Sequence, residues 1–319
     1  QTIGSFYGVN PRKLRRYYRE KLSGFKDWEH RANAREGLVF ADNVDTHLSI
    51  DETSLSHGEL YTVVTNKQAR GKKGTIVAIL NGTKSEDIIP VLMKIPARIR
   101  NKVREITLDL AGNMALIAKK CFPNAVQVID RFHVQQLATE ALQEIRIKHR
   151  WQAIDDENLA LEQAKTDRST YLPEVLPNGD TVKQLLARSR YLLYAKQDNW
   201  SRDQQHRAAL LFERYPDIEK AYGLSQQLSW IFSNTADKLY AFARLAKWNE
   251  KVEQSGFKSF NTVSRTINLH HKKILNYFDN KSTNASAESF NAKIKAFRSQ
   301  FRGVGDINFF LFRLTKLFA

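Results

Sequence analysis

The chain is poor in sulfur, proline, glycine and acid. It has one cysteine, Cys121, in 319 residues, which excludes an intramolecular disulfide and any multi-cysteine zinc site. With 7 prolines and 14 glycines it has neither collagen-like nor linker-like composition. No apolar run approaches the roughly 18 residues that cross a bilayer, and no period of about 20 to 50 residues repeats. The acid deficit says most: 50 Lys and Arg against 34 Asp and Glu leave a net charge of +16. Such a surplus favours a polyanionic partner, most often nucleic acid, because neutralised phosphates release condensed counterions. Hydrophobic residues make up 42% of the chain and charged ones 26%, enough for a large core. The length suggests roughly two domains. Residues 1–10 form neither a secretion signal nor a Met start; the expectation is a soluble cytoplasmic protein whose natural start lies upstream.

Asn10 and Pro11 read as N-cap and first residue of a helix, with Leu14, Tyr17 or Tyr18, and Leu22 at helical spacing and Ser23-Gly24 as its stop. Its basic residues suit a phosphate-gripping helix or a merely solvated face equally well. Between 47 and 130 the pattern changes. Residues 47–53, 60–65 and 75–80 read as three strands of an antiparallel meander, with turns at His57-Gly58 and 68–74. A helix at 85–95, a strand at 105–110, a helix at 113–121 and a strand at 125–130 follow. A meander followed by strand–helix–strand alternation makes a mixed sheet with crossover helices. No glycine occurs from Asn113 to Asn178, and 131–165 reads as one long helix. Helical segments resume at 185–194, 202–215, 218–232, 237–254 and 260–278, and a last patterned helix covers 284–301.

Three acids stand out by placement: Asp51 in the first strand, Asp109 at the end of the 105–110 strand, and Glu288 within the last helix. Carboxylates at strand ends lie where such sheets bind ligands. Paired hard cations in phosphodiester chemistry need oxygen ligands of this kind. Glu52, next to Asp51 and on the other face of the strand, could serve instead, and a lone strand Asp is more often a turn or surface residue. In the last helix Phe290, Ile294, Phe297 and Phe301 form an apolar stripe, while Asn284, Glu288, Asn291 and Lys295 form a separate polar one. The helix can bury its phenyl groups and aim a carboxylate, two amides and an amine into a cleft. A solvated face also mixes Glu with Lys, but two asparagines are poor helix formers that propensity alone would not select.

The strings Ser49-Ile-Asp-Glu-Thr53, Ile106-Thr-Leu-Asp-Leu110, Val128-Ile-Asp-Arg-Phe-His-Val134 and Ser282-Thr-Asn-Ala-Ser-Ala-Glu-Ser-Phe-Asn-Ala-Lys-Ile-Lys295 resemble the DDE transposases of the ISL-three family of bacterial insertion sequences. The resemblance runs from about Val44 to the C-terminus. It implies an α/β fold: an RNase H-like mixed sheet with flanking helices, interrupted by a large all-α insertion before the last catalytic helix. The expected organisation is a basic helical segment (1–43), the first part of the core (44–150), the helical insertion (151–280) and the returning core (281–319). The 179 positions from Asp109 to Glu288 suit such an insertion. The resemblance implies that Asp51, Asp109 and Glu288 hold two Mg²⁺ or Mn²⁺ ions and catalyse hydrolysis at transposon ends and strand transfer into target DNA. Asp130, Arg131 and His133 would be accessory, matching an Asp/Cys-x-x-His signature of related transposases. The alternative for that string is that Asp130 caps a helix and His133 packs. The partners implied are double-stranded DNA, a homodimer on DNA and no membrane, with nucleoid association when bound. The family's zinc-binding and helix-turn-helix region does not fit into about 40 residues with one cysteine, so a separate recognition polypeptide, or removal of that region, is expected.

Candidate DNA contacts are Lys67, Arg70, Lys72 and Lys73 in the loop between two strands, and Asn284, Asn291, Lys293, Lys295, Arg298 and Arg302 on the last helix. Basic strand-to-strand loops also occur simply for solubility. Trp28, Trp151, Trp200, Trp230 and Trp248 are expected to pack rather than stack on bases, and Cys121 to be buried and inert. Two other functions stay open: a structure-selective nuclease or resolvase on the same fold, and a transposase-derived protein that only binds DNA.

Overall fold

The computed structural model describes residues 4, 6–56, 58–283, 285–300 and 304–319. His57, Asn284, Phe301 and Arg302, all named above, lie outside them.

The chain divides into two compact units, Gln1–Asp130 with Ser282–Ala319, and Arg131–Lys281. The first contains a six-stranded sheet built from β1 (Gly37–Val39), β2 (His47–Ser56), β3 (Glu59–Asn66), β4 (Ile76–Asn81), β5 (Glu105–Leu108) and β6 (Val126–Ile129). Their order is β1-β4-β3-β2-β5-β6. The pairs β1–β4, β4–β3 and β3–β2 are antiparallel, whereas β2–β5 and β5–β6 are parallel. The parallel pairs need crossovers. Helices α2 (Ser85–Leu92) and α3 (Ala97–Arg100) lie between β4 and β5, and α4 (Gly112–Cys121) lies between β5 and β6. This is the mixed sheet of an RNase H-like core. The three-residue β1 escapes sequence reading because it is too short to show alternation.

The returning segment completes this core. Helix α13 (Ala285–Gln300) buries Ala287, Phe290 and Ile294. The C-terminal helix α14 (Ile307–Phe318) buries Phe310, Leu311 and Leu314. Both close over Leu55, Tyr61, Val63, Ile76 and Ile79 of the sheet. The first helix, α1 (Pro11–Tyr17), begins at Asn10, whose side chain accepts the N–H groups of Arg12 and Lys13. It runs into a π-helical turn, Tyr18–Leu22. Neither element buries a residue, so the apolar spacing of Leu14, Tyr17, Tyr18 and Leu22 does not make a core face.

The second unit is helical, and within it α5 (Arg131–Thr166) runs for 36 residues. Because α5 lies wholly in this unit, the two units meet in sequence at Asp130, before the expected boundary at 150. It is followed by α6 (Val182–Leu192), α7 (Arg202–Arg214), α8 (Pro216–Asn234), α9 (Lys238–Ser255), α10 (Lys258–Leu269), α11 (His271–Leu275) and α12 (Tyr277–Asn280). Capping boxes of Thr181 with Gln184 and Ser201 with Gln204 start α6 and α7. Gly256, at φ +73°, ends α9 in the left-handed conformation glycine tolerates. The helix expected over 260–278 breaks at His270, whose backbone (φ −103°, ψ 12°) leaves helical geometry. Trp248 and Trp200 are buried as expected. Trp151 and Trp230 are exposed instead, the latter beneath the Arg244 guanidinium at 4.7 Å.

Candidate active site

The parallel strands set the site. In β2–β5 pairing Ser49 lies opposite Thr107, so two residues further on Asp51 comes level with Asp109. In β5–β6 pairing Leu108 lies opposite Ile129, which brings Asp109 level with Asp130. Asp109 and Asp130, just past the carboxyl ends of β5 and β6, are therefore level with Asp51 in the middle of β2, and open sheets of this kind bind ligands at such strand ends. Asp130 is buried. Asp109 accepts the N–H of Ala111 at 2.8 Å, a local turn that leads into α4. Asp51 accepts the N–H of Glu52 at 2.8 Å and, on its other oxygen, the Asn291 amide at 2.7 Å.

That amide comes from α13, whose apolar residues hold it against the sheet. Glu288 is exposed on this helix one turn before Asn291, and a three-residue step keeps the two on one face. Glu52 shows the electrostatic consequence of crowding carboxylates. Its pKa is raised, first by burial and then by the negative charges of Asp109 and Asp51. Carboxylate oxygens are the ligand type a hard divalent cation prefers. Among the described residues, no three His, Cys, Asp or Glu side chains converge closely enough to hold a metal ion.

Beneath the aspartate row lies a second polar layer on the same strands. The Lys67 ammonium donates to Thr107 at 2.7 Å, to Glu105 at 3.4 Å and to the Ser282 hydroxyl. Ser282 in turn donates to Glu105. Lys67 and Glu105 are 14% and 6% exposed at the side chain, so this ion pair is out of water. Burial lowers the Lys67 pKa, opposed by the nearby charges of Glu105 and Asp130. Lys67 thus faces the sheet, where β5 and Ser282 hold its ammonium.

The other candidate DNA contacts fall into two groups. Arg70, Lys72 and Lys73 are exposed on the β3–β4 loop. Lys293 and Lys295 are exposed on α13, and Lys293 donates to the Gly71 carbonyl at 2.9 Å, which joins loop and helix into one basic surface. Arg298 donates to the Ser54 carbonyl at 3.4 Å. Arg131 and His133 belong to the helical unit, in the first turn of α5. There the Arg131 guanidinium lies 5.9 Å from the Tyr277 ring. The Asp130–His133 string therefore straddles the unit boundary. Cys121 is fully buried and its thiol is pushed up to about 11 by desolvation, in keeping with an inert role.

The profile of the ISL-three DDE transposases, described as a transposase family, matches residues 48–314. The chain belongs to this transposase family. It is 24% identical over 278 residues to the transposase for insertion sequence element IS1001 of Bordetella parapertussis, covering 85% of this chain and 61% of that protein. Against the transposase for insertion sequence element IS1557 of Mycobacterium tuberculosis, identity is 24% over 195 residues, covering 61% of this chain and 43% of that protein. The chain thus matches less than two thirds of the length of these relatives. Among its described residues no helix is long and apolar enough to cross a membrane.

Sequence reading missed Glu105, Thr107 and Ser282. Their signal was present in the alternation of Glu105-Ile-Thr-Leu108, which puts Glu105 and Thr107 on the face that two residues later carries Asp109. What alternation could not supply was the partner, since Lys67 and Ser282 come from distant segments.

Proposed function

We propose that this chain is the catalytic part of a DNA transposase, with Asp51, Asp109 and Glu288 as its metal-holding acids. The observation that carries the reading is the register that sets Asp51 level with Asp109 on parallel strands, with the helix bearing Glu288 bonded to Asp51 through Asn291. Two Mg²⁺ or Mn²⁺ ions, when bound, supply Lewis-acid activation of the attacking oxygen and stabilise the leaving one. Asn291 holds the Asp51 carboxylate in one orientation, and the turn at Ala111 does the same for Asp109. Arg70, Lys72, Lys73, Lys293 and Lys295 supply the positive surface that seats the phosphate backbone, with Asp130, Arg131 and His133 as accessory groups. The reaction is hydrolysis at the element ends to expose a 3′-hydroxyl, which then attacks target DNA. The chain acts in the cytoplasm on nucleoid DNA, as a dimer that brings two ends together, with end recognition supplied by a region outside this chain or on a separate polypeptide.

The test is strand cleavage and joining on element-end DNA with Mg²⁺. Alanine at Asp51, Asp109 or Glu288 should each lower cleavage by at least about 100-fold, since even groups that only support metal ligands cost about 10- to 100-fold, with an unchanged melting temperature. Full strand transfer by Asp109→Ala would overturn the assignment. Cleaved but never joined products would instead make the chain a nuclease or resolvase, and DNA binding without cleavage by the unaltered chain would make it a binding protein.

A further inference from the structure

The β3–β4 loop makes one contact to α13 and one to the segment just ahead of it. At its start, Lys67 bonds Ser282, three residues before α13 begins, while also bonding Thr107 and Glu105 on β5. At its turn, the Gly71 carbonyl accepts the Lys293 ammonium in the second half of α13. The backbone here is shaped for that approach: Arg70 and Gly71 both have positive φ, +50° and +72°, and a Cβ at Gly71 would lie 2.7 Å from the Lys293 Nζ. Glu288 sits between the two contacts. From Ser282 to Ala285 three extended residues span at most about 10–11 Å, so a fixed Ser282 leaves the start of the helix little slack. Thr107, which holds the same ammonium, is two residues from Asp109.

From this geometry we infer that the loop of residues 67–71 is a two-point clamp, in which Lys67 and Ser282 act as positioning residues that set Glu288 against Asp109. Neither residue touches DNA. The inference rests on the proposed function for its catalytic meaning, but the clamp itself is a statement about where α13 is held. It also explains why a lysine in a basic loop is buried: its charge is neutralised by Glu105, and its hydrogen bonds tie strand, loop and helix entry together.

The experiment uses the full chain and two readouts. The first is hydrogen exchange of the 282–291 segment in metal-free protein. The second is Mn²⁺-dependent nicking of supercoiled plasmid, titrated with Mn²⁺, alongside DNA affinity measured in Ca²⁺. Lys67→Met should speed exchange in that segment, lower the nicking rate about 10- to 100-fold as loss of a group supporting metal ligands does, and raise the Mn²⁺ needed for half-maximal rate, with DNA affinity unchanged. Ser282→Ala should shift the same readouts less, and Ser282→Thr, which keeps the hydroxyl, should restore them. Unchanged exchange at 282–291 in both Lys67→Met and Ser282→Ala overturns the clamp. So does a salt-dependent loss of DNA affinity with an unaltered Mn²⁺ requirement, which would make Lys67 a phosphate contact after all. If the unaltered chain does not nick at all, the catalytic reading fails while the exchange data still judge the clamp. Should Lys67→Met not fold, the Ser282 pair alone decides.

Discussion

Both units bury a charged carboxylate, and they do it in opposite ways. In the helical unit Asp180 is fully buried and is bound by Arg188 and by Arg207 at 3.1 Å, with the Asn178 amide at 2.9 Å. All four residues lie between 178 and 207, so this is a local staple that fixes the turn ahead of α6. In the sheet unit Glu105 is bound by Lys67 and by Ser282, whose hydroxyl arrives only after the entire helical unit has been traversed. The staple needs nothing beyond its neighbours, whereas the Glu105 network exists only when the chain's last segment has returned. The difference teaches how each unit uses its buried acid: the local ion cluster fixes a turn within its own neighbourhood, and the long-range one ties the returning segment to the strand that leads into Asp109.

Changes that remove the returning segment's packing should therefore hit hardest. Phe290 is fully buried against the sheet and meets Phe318 edge-on at 5.1 Å. Phe290→Ala should cost about 3–5 kcal/mol, the usual loss for truncating a buried phenyl group. Chemical denaturation should show the sheet unit melting first, and a single unchanged transition would break the comparison. Next comes Asp180→Asn, which leaves Arg207 and Arg188 without a counter-charge. Because Arg188 is half exposed, a loss of about 2–3 kcal/mol is expected, below the full penalty for a broken buried pair. The loss should show in denaturation of the helical unit and leave nicking by the folded protein intact.

Acid sharpens the contrast further. Burial opposes the charge on Asp180, but the Arg207 and Arg188 guanidinium groups outweigh it and hold its carboxyl below the usual range. A depressed folded pKa contributes stability that is complete above the unfolded value and lost as pH falls through the folded one. Glu52 has the reverse sign. Its raised pKa favours the protonated form, so its contribution is present below the unfolded value and lost as pH rises through the folded one. Glu52→Gln should therefore give the smallest effect, a rise in melting temperature of the order of 1–2 °C at pH 7, which vanishes near pH 4. Calorimetry across that range, with and without Mg²⁺, measures it. A fall at pH 7 would mean that Glu52 is bound by cations within the protein and not repelled by Asp109 and Asp51.

The strands and most helices were legible because alternation and helical spacing are local, and the family resemblance came from residues in those same elements. The row of acids was half legible. Acid at a strand end points to chemistry, but that Asp51 lies level with Asp109 is a fact of register, which sequence periodicity does not fix. The setting of Lys67 was hidden for a similar reason: a basic loop between strands looks solvated until the sheet supplies Glu105 beneath it. The C-terminal helix, Ile307–Phe318, passed unread although its phenylalanines and leucines cover the core. The exposed Trp151 and Trp230 show that aromatic residues on long helices need not face inward.

The insertion has a consequence in time. About 150 residues, Arg131–Lys281, separate the strands of the sheet from the helices that cap them. At about 5–20 residues per second of synthesis, the segment that precedes the insertion waits roughly 8–30 s before the helices that cover it are made. A nascent chain thus carries its aspartates and its basic loop well before Ser282 and Glu288, which follow the helical unit, are made.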